Sequence, residues 1–271
     1  MSLDLATRRT AQAWLAEGRN AAVVVVLETR GSAPRRAGTR MVVSAAQAVG
    51  TIGGGHLELK AIEEARALLG GAVPPHQTHY PLGPALGQCC GGAVTLGFTR
   101  LDATALAAWP ETPPLFHLQL YGAGHVGQAI ARLLATLPVL VDWIDEREEL
   151  FPFALHEGSP WPEHIRVVPV DEVWGEVSAA PPGGYYLVLT HSHDLDLRIT
   201  EAILRRGDFG YLGLIGSKTK RARFVHRFEA MGIPMQRIAR MTCPIGIEGI
   251  AGKEPEIIAL GVVAQLLQDD E

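Results

Sequence analysis

The residues of this chain best suited to chemistry sit in short glycine-bearing segments. Midway along, Leu115–Tyr121 runs into Gly122-Ala-Gly124-His125-Val-Gly127, followed by an apolar helical pattern through Leu134. Strand, G-x-G-x-x-G and helix in that order form a nucleotide fingerprint. Gly122 permits the tight turn, Gly124 lets backbone approach a pyrophosphate, and Gly127 lets helix and strand pack closely. An anion then rests on the free N–H groups and positive dipole end of the helix. The fingerprint expects an acid about 20 residues on, to bind ribose hydroxyls. Asp145 fills that position, Asp142 lies inside the strand as the weaker choice, and Arg147 offers an alternative partner for a 2′-phosphate.

Other segments carry different chemistry. His191-Ser-His193-Asp194-Leu-Asp196 directly follows an apolar strand. H-x-H spacing on extended backbone puts both imidazoles on one side, which suits a metal. The alternative is that Asp194 or Asp196 caps the next helix while the histidines orient a ligand. Gly216-Ser217-Lys218 also follows a strand and opens a basic helix, so it reads either as an anion site or as a serine cap on a solvated helix. Gly53-Gly54-Gly55-His56-Leu-Glu58 reads as a close-approach turn at a helix start, with Glu58 either contacting a ligand or complementing the helix dipole. Gly87-Gln-Cys89-Cys90-Gly-Gly92 is the most unusual segment. Adjacent thiols form no easy disulfide and lack C-x-x-C spacing, but soft thiolates suit sulfur transfer or a soft metal. Cys243, alone, reads as core filler.

The elements that must position these groups divide the chain in two. Residues 1–105 read as a smaller α+β domain: a helix at Leu5–Glu17, strands at Ala21–Glu28, Arg40–Ser44, Ala48–Ile52 and Ala93–Phe98, and a helix at His56–Leu69. A proline-bearing linker lies at Trp109–Pro114. Residues 113–271 alternate strand and helix, with strands at Leu115–Tyr121, Val139–Ile144, Ile165–Val168, Tyr185–Thr190 and Tyr211–Ile215 and a last helix over Glu254–Leu267. That alternation predicts an α/β fold, a Rossmann-like doubly wound parallel sheet whose ligands bind beyond the carboxyl ends of its strands. The 271 residues, 47% hydrophobic and 20% charged with net charge −5, suggest about two soluble domains. They offer nothing that attracts nucleic acid or acidic membrane. No apolar run reaches the ~20 residues of a membrane span, and the N-terminus lacks a signal-peptide core. With three cysteines, the expectation is a cytoplasmic protein with reduced thiols.

Taken together, the motifs resemble those of the xanthine dehydrogenase accessory proteins of the XdhC/CoxI family, over nearly the whole length. The resemblance rests on Gly31-Ser-Ala-Pro-Arg35 with Gly38, Gly50-Thr-Ile-Gly53-Gly54-Gly55-His56-Leu-Glu58, and Gly87-Gln-Cys89-Cys90-Gly-Gly92. It extends to Tyr121–Gly127, Thr190-His191-Ser-His193-Asp194, Leu214-Ile-Gly216-Ser217-Lys218 and Cys243-Pro-Ile-Gly246. A closing loop, Gly246-Ile-Glu248-Gly249-Ile250-Ala-Gly252, departs from the aspartate-isoleucine-glycine run common in the family. The resemblance implies a chaperone rather than an enzyme. It would hold molybdenum cofactor (molybdopterin), protect it while a cysteine desulfurase installs a sulfido ligand, and deliver it to apo-xanthine dehydrogenase or a related molybdenum hydroxylase. A homodimer is a further expectation. In that reading Cys89 or Cys90 meets the molybdenum end of the cofactor. Its phosphate lies near Gly122–Gly127 or Gly216-Ser217-Lys218, in a cleft between the domains. The competing readings are an NAD(P)-dependent oxidoreductase, favoured by the fingerprint with Asp145, and a metal-dependent hydrolase built on His191 and His193.

Overall fold

Alternation of side chains along a strand explains the first sheet. In β1 (Ala21–Arg30), Ala22, Val24 and Val26 face one way, and Ala21 and Val23 the other. The computed structural model describes residues 2–82, 92–110, 113–156 and 159–268. It divides into two compact units, Met1–Pro113 and Pro114–Glu271.

In the first unit, α1 (Ser2–Ala16) precedes β1. Then come β2 (Arg40–Ser44), β3 (Ala48–Gly50), α2 (Gly55–Leu69), β4 (His76–Pro81), β5 (Ala93–Arg100) and α3 (Ala103–Ala107). The sheet runs β3-β2-β1-β5-β4, and each pairing is antiparallel. Leu57, Ala61, Ala65 and Leu68 of α2 pack on the face bearing Val24, Met41 and Phe98. Ala11 and Trp14 of α1 join Val23, Val42 and Trp109 on the opposite face. Strand β4 is absent from the sequence reading. Its residues, His76-Gln-Thr-His-Tyr-Pro, include few apolar side chains and end in proline, as edge strands tolerate.

The second unit holds β6 (His117–Tyr121), α4 (His125–Leu134), β7 (Leu140–Asp145), β8 (Ile165–Pro169), β9 (Tyr185–Val188) and α5 (His193–Arg206). It continues with β10 (Tyr211–Leu214), α6 (Lys218–Ala230), α7 (Met235–Ala239), β11 (Met241–Thr242) and α8 (Pro255–Leu266). The strands are ordered β11-β10-β9-β6-β7-β8, with every pair parallel. In order of appearance within the unit this is 6-5-4-1-2-3, the Rossmann order. The fold is therefore α/β, with an antiparallel sheet first and a Rossmann-like parallel sheet second.

Helices α4 and α8 cover the face carrying Leu118, Leu120, Val141, Trp143 and Leu187. Helices α5, α6 and α7 cover the face carrying Tyr121, Ile144, Tyr186 and Val188. The crossovers on either side of β8 depart from the expected alternation, because short 3-10 turns at Glu148–Leu150 and Val173–Ala179 replace α-helices there. The topological switch point lies between β6 and β9, and the loops following those strands meet at the carboxyl edge of the sheet.

Candidate functional site

The fingerprint turn sits at this switch point, and its glycines serve different ends. Gly122 has φ +127°, and a Cβ there would lie 2.4 Å from the Leu189 carbonyl oxygen. A Cβ on Gly127 would lie 2.0 Å from the Gly122 oxygen. Both positions exclude any side chain so that β6, α4 and the loop after β9 can close together. At Gly124 an added Cβ meets nothing within 4 Å, and φ is an ordinary −69°. The protein gains no packing from the missing side chain there; what it gains is open backbone at the start of α4. His125 is exposed on the first turn of that helix.

The acid of the fingerprint is committed internally. Asp145, 5% exposed, accepts from Ala123 N at 2.6 Å and Arg147 N at 3.0 Å, and from Arg147 Nε and Nη2 at 2.9 Å each. Burial pushes its carboxyl up, but the Arg147 guanidinium and the two backbone N–H groups outweigh that and hold it below the ordinary value. Two oxygens accepting four hydrogen bonds leave no lone pair for a ribose hydroxyl. Asp142 is likewise engaged, with His117 at 2.9 Å and Arg166 at 2.8 Å.

A cavity of about 440 Å³ opens beside the switch point, between the loops that start α5 and α6. Thr190, His191, His193, Asp196, Ile215, Gly216, Ser217, Thr219, Lys220 and Arg223 form its lining. The two loops are pinned by a buried ion pair. Lys220 Nζ lies 2.6 Å from Asp196 Oδ2 and donates to the Ile215 carbonyl at 2.8 Å. Asp196 Oδ1 accepts from the Thr190 backbone at 3.0 Å and its hydroxyl at 2.7 Å. Gly216 makes this geometry possible, since a Cβ there would lie 2.6 Å from Lys220 Cδ. Serines cap both helices: Ser192 Oγ accepts from Leu195 N and Ser217 Oγ from Lys220 N. The first-turn N–H groups of α5 and α6, with their positive dipole ends, thus converge on one cavity.

Several sequence expectations take a different form here. The lysine in the cavity is Lys220, whereas Lys218 is exposed. Ser192 caps α5 in place of Asp194 or Asp196; Asp194 is solvated, 3.8 Å from Arg227. His191 Nε2 lies 3.5 Å from Glu146 Oε1, and His193 Nδ1 accepts from Arg223 Nη2 at 3.2 Å. The histidines therefore pair separately, and among the described residues no cluster of His, Cys, Asp and Glu could hold a metal ion.

Gly53, Gly54 and Gly55 have φ of 136°, 75° and 63°, and Glu58 folds back over their turn. It accepts from Ile52 N and Gly54 N at 3.1 Å each, and from the Thr51 hydroxyl. In this unit Glu58 positions the glycine turn. Cys89 and Cys90 lie outside the described residues. Cys243 is a free, buried thiol, and burial pushes it up toward the protonated form. Lys220, Asp196, Thr190 and Arg223 also line the cavity, where the sequence offers Asp196 only as a cap, Thr190 only in the segment before the histidines, and Lys220 and Arg223 only as charges of a basic helix. Their position just past the ends of two parallel strands is the signal that brings them to one place.

Comparison with known proteins agrees with this architecture. Residues 118–266 match the XdhC Rossmann domain, and residues 14–80 match the XdhC and CoxI family. The chain is 30% identical over 256 residues to the uncharacterized protein YqeB of Escherichia coli (strain K12), covering 91% of this chain and 43% of that protein. It thus spans less than half the length of that relative. A solved structure from Bacillus halodurans, described as a xanthine dehydrogenase, superposes with a TM-score of 0.77 at 17% identity. The match covers 97% of this chain and 95% of that one, a likeness of fold. No helix among the described residues is long and apolar enough to cross a membrane. With the Rossmann model running from β6 into α8 and the second model running from α1 into β4, the chain belongs to the XdhC/CoxI family.

Proposed function

We propose that this protein is a molybdenum-cofactor chaperone that receives the cofactor, shields it during sulfuration by a cysteine desulfurase, and passes it to apo-xanthine dehydrogenase or a related molybdenum hydroxylase. Family membership supports an accessory role in xanthine dehydrogenase maturation. The observation that carries the finer reading is the donor-rich carboxyl edge of the second unit. There, open backbone at Gly124 stands beside a cavity framed by two helix starts, Ser217, His193 and Arg223. Such a surface suits a small anionic ligand bearing a phosphate, as the pterin cofactor does. When bound, the cofactor supplies the molybdenum centre that the client uses for oxidation. The chain's own residues bind it by dispersed contacts of about 1–3 kcal/mol each, strong enough to retain it and weak enough to release it. Cys89 or Cys90 is the soft donor proposed for the molybdenum end.

The nicotinamide alternative finds less support, because the acid that would read a ribose is filled by Arg147 and Ala123. We read the protein as a carrier without turnover of its own. The test is molybdenum retained by the purified protein, together with activation of apo-hydroxylase. Alanine at Cys89 and Cys90, singly and together, should lower both measures. Full loading and transfer by the double variant would remove the cysteines from the proposal. Sustained oxidation of a small substrate with reduction of NAD(P)+ by the protein alone would replace the proposal with its rival.

A further inference from the structure

We infer that the phosphate-bearing end of the ligand is read by Lys220, inside the α5–α6 cavity, and not by the glycine fingerprint at α4. The inference deepens the chaperone reading and rests on it only for the ligand's identity; the oxyanion site stands on the geometry of the cavity.

Lys220 is 9% exposed, yet it lines the cavity. An ammonium has three N–H donors. One goes to Asp196 Oδ2 at 2.6 Å and one to the Ile215 carbonyl at 2.8 Å. The remaining neighbour is the ring of Phe224, whose centroid lies 5.5 Å from Nζ. A ring face holds an ammonium less strongly than an oxygen does, so Lys220 has donor capacity left for an oxygen that enters the cavity it lines.

The neighbours are also donors. Arginine only donates, so in the Arg223–His193 contact the Nδ1 of His193 must accept, which places the ring proton on Nε2. His193 then presents an N–H, and Arg223 keeps further N–H groups, at the same cavity. Ser217 and Thr219 add hydroxyls, and both helix starts add backbone N–H groups. The carboxylate on this lining, Asp196, is spent on Lys220 and Thr190. Unused groups of this kind match an oxyanion with several acceptor oxygens, hence a phosphomonoester. The α4 turn presents open backbone at Gly124, but its neighbouring acid, Asp145, draws the Ala123 N–H away from any ligand.

The experiment titrates the whole protein with inorganic phosphate, followed by phosphorus NMR line width against a chloride control. Saturable binding is expected. Lys220→Met should weaken it by about 10- to 100-fold, the range for a lost hydrogen bond to a charged group. Because that variant strands Asp196, the double variant Lys220→Met with Asp196→Asn is measured beside it. Asparagine keeps an oxygen for Thr190 and leaves no unpaired charge. Arg223→Gln should weaken binding less.

Absence of saturable phosphate binding by the unaltered protein overturns the inference. So does unchanged binding in the folded double variant, or loss of binding in Gly124→Val with retention in the double variant. Competition then separates this inference from the function it deepens. Displacement of phosphate by the pterin cofactor supports both. Displacement by AMP and not by the cofactor keeps the Lys220 site and overturns the chaperone reading.

Discussion

Gly124 and Gly127 stand three positions apart and answer to different demands. A side chain at 124 projects into open space, whereas one at 127 starts 2.0 Å from a carbonyl oxygen that belongs to the turn itself. Gly124→Val should therefore fold with stability within about 0.5–1 kcal/mol of the parent, the usual range for an open site of this kind, and still bind phosphate at the α5–α6 cavity. Gly127→Ala should lose about 3 kcal/mol or more, because α4 must lift off the sheet to admit it. Chemical denaturation of the two variants checks the contrast, and equal losses would contradict it. The same scale governs Asp196. Asp196→Ala leaves the Lys220 ammonium buried and unpaired, which should destabilise the second unit by about 3–5 kcal/mol. A loss below about 1 kcal/mol, the range of surface pairs, would mean that Lys220 finds water instead.

Strand β4 shows how an element with little apolar content is held in place. Glu64 on α2 accepts from Thr78 Oγ1 at 2.8 Å, from His76 Nε2 at 3.0 Å and from the Tyr80 hydroxyl, so one carboxylate clasps alternate residues of the edge strand. His76 also stacks on Phe98 of the neighbouring strand, and its Nδ1 faces the Pro74 carbonyl at 2.9 Å. Both ring nitrogens thus face acceptors, an arrangement that favours the imidazolium.

The bond to Glu64, then that to Pro74, raises His76 above its usual 6.5. For Glu64, burial acts upward but the bonds from Tyr80, His76 and Thr78 outweigh it and hold the carboxyl below 4.5. The raised His76 stabilises fully below 6.5 and loses its contribution as pH rises through its folded value. The depressed Glu64 stabilises fully above 4.5 and loses its contribution as pH falls through its own. The clasp is therefore strongest between those limits. Glu64→Gln should lower stability by about 1–2 kcal/mol at pH 5.5, discounted for partial exposure, and by less at pH 9. Thermal melts across pH measure this, and a deficit constant with pH would exclude the charged clasp.

At the scale of the molecule, each unit carries its own core. Val24, Met41, Leu57 and Phe98 belong to one, and Leu120, Trp143, Leu187 and Val262 to the other. A fragment of residues 114–271 should unfold cooperatively by itself and retain phosphate binding, since the whole α5–α6 cavity lies within it. Calorimetry and phosphorus NMR on that fragment decide the point. A fragment without a cooperative transition would show that the second unit depends on the first.

Much of this architecture is legible in the residues themselves. Alternating apolar runs with helical patterns between them prescribe a parallel sheet, because parallel neighbours need a long crossover connection and a helix is its commonest form. The run Leu115–Tyr121 ahead of Gly122–Gly127 marks where that sheet begins. The glycine spacing locates the turn, since backbone approach at Gly122 and Gly127 tolerates no Cβ. Edge elements such as β4 and β11 are not legible locally, because partners distant in sequence hold them rather than their own apolar pattern. The candidate site divides in the same way. Its loops follow from strand ends that the sequence shows. The choice of Lys220 over Lys218, and the capture of Asp145 by Arg147, depend on which side chains the packed sheet turns inward. Residues 24 positions apart, Asp196 and Lys220, become an ion pair only when β9 and β10 align in register, and no local pattern encodes that meeting.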